Sequence, residues 1–514
     1  MELWEAEAEH FLKNETEFQL GFLPSEARNP LTLHLDDDFR RSTADGVRTL
    51  LACDRALLPH LRDALQRKEY QDMITAMRNA RKIVFYGCGS TGRLAILLES
   101  AWNEAYPGDN RVISLMTGGD FALIRAVENF EDYPEVGKKQ VADLNLAAED
   151  MLIGITATGE TAAVVGAAQE AARRGARVFM LICVPPAVPA SRLERCRELY
   201  SNPNVTAIDM PIGGMAVTGS TRMQSSTIEL LVAASALETA SGTADISYFD
   251  AFEQLLNSLG TRESVAAIAD FIDFEFGVYQ KHGVIDYLPN DLLIDILSDT
   301  TERSPTFMIP PYKSVLDELS PEPWAMGRDP SASTPEVWEK CLHRSPRCVE
   351  WTQAEYVAGG LEVLLKNGTP HITTKDLMNI PIGGAPLARR AGAVQVMIHN
   401  DPTGTLIVGG RRIGERPVGT PLRLMEHVRM KLVMNLISTG VMVKYGRVKS
   451  NYMIHLAISN KKLVDRAIRI ISDLCGITYE NACRELFRTR HELKEKNISP
   501  VAATIRRILG ELNA

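Results

Sequence analysis

Eight cysteines in 514 residues, at positions 53, 88, 183, 196, 341, 348, 475 and 483, form no C-x-x-C pair and lie far apart. That spacing argues against a disulfide framework and against a structural zinc site, and suits a reducing, cytoplasmic setting. No apolar run is long enough to span a bilayer, so a membrane is not an expected partner. Positive charge is also short. The formal net charge of −9 gives no general attraction for nucleic acid, so any anionic ligand has to be held by local donors. The first residues, MELWEAEAEHFLKNETEF, have no basic start, apolar core or small-residue cleavage site, and are not expected to be a secretory signal. None of the ten histidines falls in a spacing such as H-E-x-x-H, so neither metal nor cofactor is expected. There is no fixed-period repeat of the solenoid type.

What is present is a chain with 45% hydrophobic residues, enough for two or three cores. Up to residue 75 apolar residues recur at three and four, as in GVRTLLACDRALLPHLRDALQ, which predicts helices. From residue 76 to 245 short apolar runs (IVFYG, RVISLM, MLIGIT, RVFMLIC, NVTAIDMP) alternate with helical stretches, the pattern of a parallel sheet covered on both faces. A second set, VIDYLP, RCVEW, AVQVMIHN and TLIVGG, predicts a second sheet-containing unit over 246–445. Within it the proline- and serine-rich passage from Pro305 to Pro335 reads as a long loop. Residues 446–514 read as helices.

Two turns carry the chemistry. In VFYGCGSTGRLAILLES, Gly87, Gly89 and Gly92 separate a buried strand from a helix, where unpaired amides and the helix dipole favour an anion. Ser90 and Thr91 add hydroxyls. By itself this loop fits a tight packing turn as well as a binding site. The letters match G-x-G-x-x-G, but no acidic residue ends a second strand at the distance a dinucleotide site expects. A second hydroxyl-rich turn, TATGET, follows the strand MLIGI, so Thr156, Thr158 and Thr161 join Ser90 and Thr91 at the carboxyl ends of neighbouring strands. Open parallel sheets bind ligands there, and the set could ring one phosphate.

The G-x-G-[ST]-[ST]-G-R loop with its second hydroxyl turn resembles the sugar isomerase (SIS) domain. NPLTLHLD, GCGSTGRL, TGGDFALIRAVENFED, VTGSTRM and KLVMNLISTGVMVKYGRVKSNYMIHLAISNKKL resemble, in order, motifs of the N-acetylmuramic acid 6-phosphate etherases and glucokinase regulatory proteins. About two hundred residues separate Met223 from Lys431, a domain's worth, which matches the tandem layout of the regulatory proteins. The resemblance implies an α/β fold of two SIS domains (76–245 and a degenerate 246–445), each a flavodoxin-like parallel sheet, forming a pseudo-dimer. It also implies a helical N-terminal segment (1–75) and a helical C-terminal cap (446–514).

It implies site residues as well. Elimination of lactate by the etherases needs one carboxylate to take a proton and an acid to protonate the departing ether oxygen. Glu131 matches one of the two glutamates. Ala101 stands where the other belongs, and TERSPTF offers Glu302 in its place from the second half. The corresponding loop there, YLPND, has lost its glycines and hydroxyls. Lys431 and Arg222 are the candidate cations, Gly89 and Gly92 shape the phosphate loop, and Ser220 with Thr221 would contact the sugar. Gln224 departs from the family's usual lysine, and Arg93 is expected to brace the glycine loop. Three functions follow: a sensor of a sugar phosphate such as fructose 6-phosphate with a sugar kinase as candidate partner, an etherase-type lyase, or a phosphosugar isomerase.

Overall fold

A computed structural model describes residues 2–242, 246–366, 368–384, 390, 392–493 and 498–510. The expected boundary at 245 and the final residues of the chain lie outside the described residues. Helices Leu3–Asn14, Leu35–Arg41, Thr43–Arg55, Leu58–Gln66 and Lys68–Asn79 precede any strand, and their periodic apolar positions, such as Val47, Leu50 and Leu51, are buried.

Five strands follow: β1 (Ile83–Gly87), β2 (Val112–Met116), β3 (Met151–Ile155), β4 (Arg177–Ile182) and β5 (Val205–Asp209). Their order is β2-β1-β3-β4-β5 and every pair is parallel. β1 and β3 are buried at every position, as strands covered on both faces must be. The chain winds one way from β1 to β2 and the other way from β3 onward, which leaves a crevice at the carboxyl ends of β1 and β3. Gly87 is paired with Ile155, so the turns leaving the two strands start side by side.

The first turn demands its glycines. A Cβ on Gly87 would stand 2.4 Å from the Thr91 carbonyl carbon, and Gly89 holds φ +57° immediately before the helix Ser90–Ala105.

The second sheet, in the order β10-β9-β8-β6-β7, is built from β6 (Ile285–Pro289), β7 (Ala325–Gly327), β8 (Val394–Asn400), β9 (Leu406–Val408) and β10 (Arg411–Ile413). It is parallel across β7, β6 and β8 and antiparallel from β8 through β9 to β10. The reversal is local. Two residues, Gly409 and Gly410, join β9 to β10 with φ +53° and +84°, and so short a loop with both residues at positive φ can close only a hairpin. Two expectations are corrected. RCVEW is not a strand: Asp120 donates its amide to the Arg347 carbonyl at 2.9 Å, and the Arg347 amide donates to the Asp120 carboxylate at 2.6 Å, so this segment is tied to the first unit. The passage from Pro305 to Pro335 is not all loop, since Pro305 sits in the helix Leu293–Phe307 and β7 lies within the passage.

The halves meet along two helix pairs: Ser90–Ala105 against Leu293–Phe307, and Gln224–Ser241 against Leu424–Lys444. One continuous apolar cluster runs from the N-terminal helices through both units. The chain ends in a small hairpin and the helices Lys461–Cys475, Tyr479–Glu492 and Pro500–Leu509, with Leu3–Asn14 packed on Tyr479–Glu492. Among the described residues no helix is long and apolar enough to cross a membrane.

Gly87→Ala places a methyl group against the backbone of its own turn and is expected to destabilise the protein by about 1–3 kcal/mol, read as a lowered urea midpoint at unchanged slope.

Candidate functional site

The crevice beyond β1 and β3 opens into a cleft of about 110 Å³. Gly89, Ser90 and Thr91 line it from the first turn, and Thr156, Thr158 and Thr161 from the second. Helix Ser90–Ala105 points its amino end at the cleft, where amides without intrahelical partners and the helix dipole attract an anion. The Ser90 hydroxyl is 3.2 Å from that of Thr221, and the Thr156 hydroxyl 2.8 Å from that of Thr161. Thr161 precedes the helix Ala162–Arg173 yet makes no capping bond with its side chain, so its hydroxyl is turned to Thr156 instead. Thr158 donates to Glu160 at 3.0 Å. Thr91 serves its own loop, accepting from the Cys88 amide at 3.1 Å and donating to the Cys88 carbonyl at 2.9 Å. Gly92 is not among the lining residues; a Cβ there would stand 2.5 Å from Met116 Cγ, so it is a packing glycine.

The VTGSTRM turn supplies another wall through Gly219, Ser220, Thr221 and Arg222. Arg222 sends its guanidinium away from the turn, to Asp299 at 2.9 Å and to Ser438 and Thr439 at 3.0 Å, where it clamps the two units together. Glu302 enters from the second unit, on the helix Leu293–Phe307, and forms an ion pair with Arg93. Arg93 does not brace the glycine loop as expected. It donates to the carbonyls of Ala122 at 2.7 Å and Leu123 at 3.2 Å, and so fixes the Phe121–Ile124 turn to the glutamate.

Glu131 lines the same cleft, 3.4 Å from both Asn460 Nδ2 and Lys462 Nζ. Lys462 also approaches Glu160 at 4.0 Å. Burial opposes its charge, but Glu131 and Glu160 outweigh burial and hold the ammonium above the ordinary lysine range. Beside them, burial and the charge of Glu131 push Asp132 up to about 6. Arg466, a turn further along the same helix, is paired with Glu26 of the N-terminal segment at 2.6 Å and lies against Gly219, where a Cβ would stand 2.4 Å from its Nε. Burial disfavours the Glu26 charge, yet Arg466 and Arg469 hold its carboxyl well below the usual range.

Asn460, Lys462 and Arg466 are among the lining residues that the sequence reading missed. A signal was there: positions 462, 466 and 469 put a basic stripe on one face of the helix that closes the longest motif. Lys431 lies outside the cleft and borders a smaller adjoining pocket with Ser90, Arg222 and Glu302. Its Nζ donates to the carbonyls of Arg222 at 2.9 Å and Met223 at 3.2 Å and to the Thr227 hydroxyl at 2.8 Å. Burial pushes it down to about 8. Lys431 therefore fixes the backbone of the turn that presents Ser220, instead of presenting its own charge.

Family models for the N-terminal SIS domain and the C-terminal lid domain of glucokinase regulatory protein match residues 67–172 and 450–508. The N-acetylmuramic acid 6-phosphate etherase of Pectobacterium atrosepticum is 34% identical over 222 residues, 43% of this chain and 69% of that protein. The chain belongs to the glucokinase regulatory protein and N-acetylmuramic acid 6-phosphate etherase family. Another etherase of the family, from Yersinia pestis, is 32% identical over 225 residues, 41% of this chain and 68% of its own. Among solved structures, the C-terminal domain of glucosamine-fructose-6-phosphate aminotransferase from Francisella tularensis covers 78% of this chain and 95% of its own at 11% identity and a TM-score of 0.39. The two family models meet at the cleft: Ser90, Glu131 and Thr158 fall within the first, Lys462 and Arg466 within the second.

Behind the cleft, burial pushes Glu229 on the helix Gln224–Ser241 well above the carboxylate range. A folded-state value above the unfolded one means that the folded protein binds the extra proton, so stability falls as pH rises above 4.5 toward the folded value. Glu229→Gln, isosteric with the neutral carboxyl, removes that dependence. The variant is expected to be the more stable at about pH 8, with the gap closing toward about pH 5, in urea titrations at both values.

Proposed function

We propose that this protein binds a sugar phosphate in the cleft and acts as a sensor of the kind typified by the regulatory proteins of its family. The observation that carries the reading is the composition of the cleft. Hydroxyls and amides come from the first sheet unit, Glu302 from the second, Lys462 and Arg466 from the C-terminal helices, and Glu26 behind them from the N-terminal segment. A phosphate on the Ser90 and Thr156 turns is approached by cationic side chains of the C-terminal segment, while carboxylates accept from sugar hydroxyls. A ligand held by several parts of a chain at once favours the arrangement in which they are together, which is the requirement for passing occupancy on to a partner.

Glu302 is paired with Arg93 and Glu131 with Lys462, two carboxylates each held beside a cation. Carboxylates placed in this way can accept from sugar hydroxyls. A sugar kinase is the partner class we infer, from the regulatory-protein models at both ends of the chain. The ligand class extends to fructose 6-phosphate. We divide the chain into a helical segment over 1–75, SIS units over 76–245 and 246–445, and a helical cap over 446–514. The wide spacing of the eight cysteines, with no C-x-x-C pair, supports a cytoplasmic location.

The second reading is the lyase, favoured by the presence of both glutamates in one cleft and by etherase relatives over 222 residues.

Fructose 6-phosphate at about one hundred times its dissociation constant is expected to stabilise the protein by about 2.7 kcal/mol in thermal denaturation, with unphosphorylated fructose giving no comparable effect. Lys462→Met is expected to weaken that binding about tenfold or more. Incubation with N-acetylmuramic acid 6-phosphate is expected to release no lactate. Lactate release that disappears in Glu131→Gln would replace the sensor by the lyase.

A further inference from the structure

The duplication gives the first cleft a counterpart, and the counterpart is not filled in. At the end of β6, in the position that the glycine loop holds beyond β1, Pro289, Asn290 and Asp291 and the start of the helix Leu293–Phe307 border a cavity of about 140 Å³. Ala101 and Glu104 close it from the first unit, and Asp329, Val337 and Lys340 from the second. The backbone differs from that of the first loop: Leu292, the residue before the helix, is left-handed at φ +58° and ψ +34°, whereas Gly89 before the helix Ser90–Ala105 has φ +57° and ψ −126°. His343, also on the cavity wall, has φ +50°. Two non-glycine residues in the left-handed region at one cavity mark a conformation that the surrounding structure maintains at a cost.

The chemistry has been exchanged. The Leu292 amide, which would face a phosphate, is occupied by the Asp291 carboxylate at 2.8 Å. Asp291, Glu104 and Asp329 border the cavity, the first two held by Arg423 and the third by Lys340 at 2.8 Å. Carboxylates in these pairs repel a phosphate and retain lone pairs that accept from hydroxyl groups. His427 adds the decisive group. The residue borders the cavity and is 4% exposed, its Nδ1 lies 2.8 Å from the Asp295 carboxylate, and its buried Nε2 has no hydrogen-bond partner. An unpartnered buried ring nitrogen is costly unless something satisfies it, and a hydroxyl can do so in either protonation state of the ring, donating to the neutral form and accepting from the charged one. Leu293 and Val337 offer an apolar face on the same wall.

We propose that this second cleft is a binding site for an unphosphorylated sugar, its hydroxyls taken by Asp291, Asp329 and Glu104 and one of its oxygens by His427 Nε2. A sugar there touches both units, since Ala101 and Glu104 belong to the first and the remaining groups to the second. The site stands apart from the sugar-phosphate cleft and does not depend on the reading given to that cleft.

Full-length protein labelled with ¹⁵N-histidine, its His427 signal assigned by loss in His427→Gln, is titrated with D-glucose, D-fructose and N-acetyl-D-glucosamine. At least one of the three is expected to shift the His427 ring nitrogens to saturation with a single site. The affinity is expected to fall about tenfold or more in Asp329→Asn, an isosteric change at a partly exposed pair, and in Ala101→Met, which fills the cavity. Lys462→Met, which disables the first cleft, is expected to leave it unchanged. Failure of all three sugars to move the His427 signals would overturn the proposal. So would binding that survives both cavity variants and vanishes in Lys462→Met, which would assign the sugar to the first cleft.

Discussion

Arg93 and Glu302 reach each other across the junction of the two sheet units, and the rest of the cleft depends on that contact. Arg93 is almost completely buried on a helix of the first unit, and its partner comes from a helix of the second. A guanidinium removed from water is tolerable only if its donors are met, and separating the units would strand it. The same logic recurs a short distance away, where Arg222 of the first unit is met by Asp299, Ser438 and Thr439 of the second. These pairs add little by way of net stability. They specify one arrangement of the halves, and in that arrangement Glu302 stands on the wall opposite the hydroxyl turns.

The cleft is therefore a product of the junction. The hydroxyls and amides at the β1 and β3 ends and on the turn carrying Ser220 and Thr221 belong to the first unit alone. Three charged groups are committed twice, once to a neighbour from another part of the chain and once to the cavity: Glu131 to Lys462, Arg466 to Glu26, Glu302 to Arg93. A bound anion would enter this balance by competing for Lys462, so its arrival is communicated to the C-terminal helices through an existing ion pair. This is a physical route by which occupancy of a small site could bias the position of a whole segment.

The halves differ in the turn that leaves the strand at the cleft. Glycines and hydroxyls follow β1, whereas Asn290, Asp291 and Leu292 follow β6, and the Asp291 carboxylate occupies the Leu292 amide that an anion would need. The sheet changed as well, ending in an antiparallel hairpin where the first sheet continues parallel.

The sequence by itself determined the local chemistry. Strand followed by glycine and hydroxyl turn, twice, identified Ser90, Thr156, Thr158 and Thr161, because a short apolar run, a turn and a helix are dictated by neighbours in the chain. Family motifs added Glu131, Ser220 and Glu302, and all of these residues stand in one cleft. Tertiary structure decided which charges face that cleft. Lys431 and Arg222, drawn from the strongest motifs, are turned to backbone carbonyls and to the opposite unit, whereas Lys462, at the edge of a motif, is turned inward. A side chain's reach spans several ångströms in any direction, and its final partner depends on which long-range neighbours folding delivers. One-dimensional spacing carries no information on that, and so it can list a site's groups without saying where each of them points.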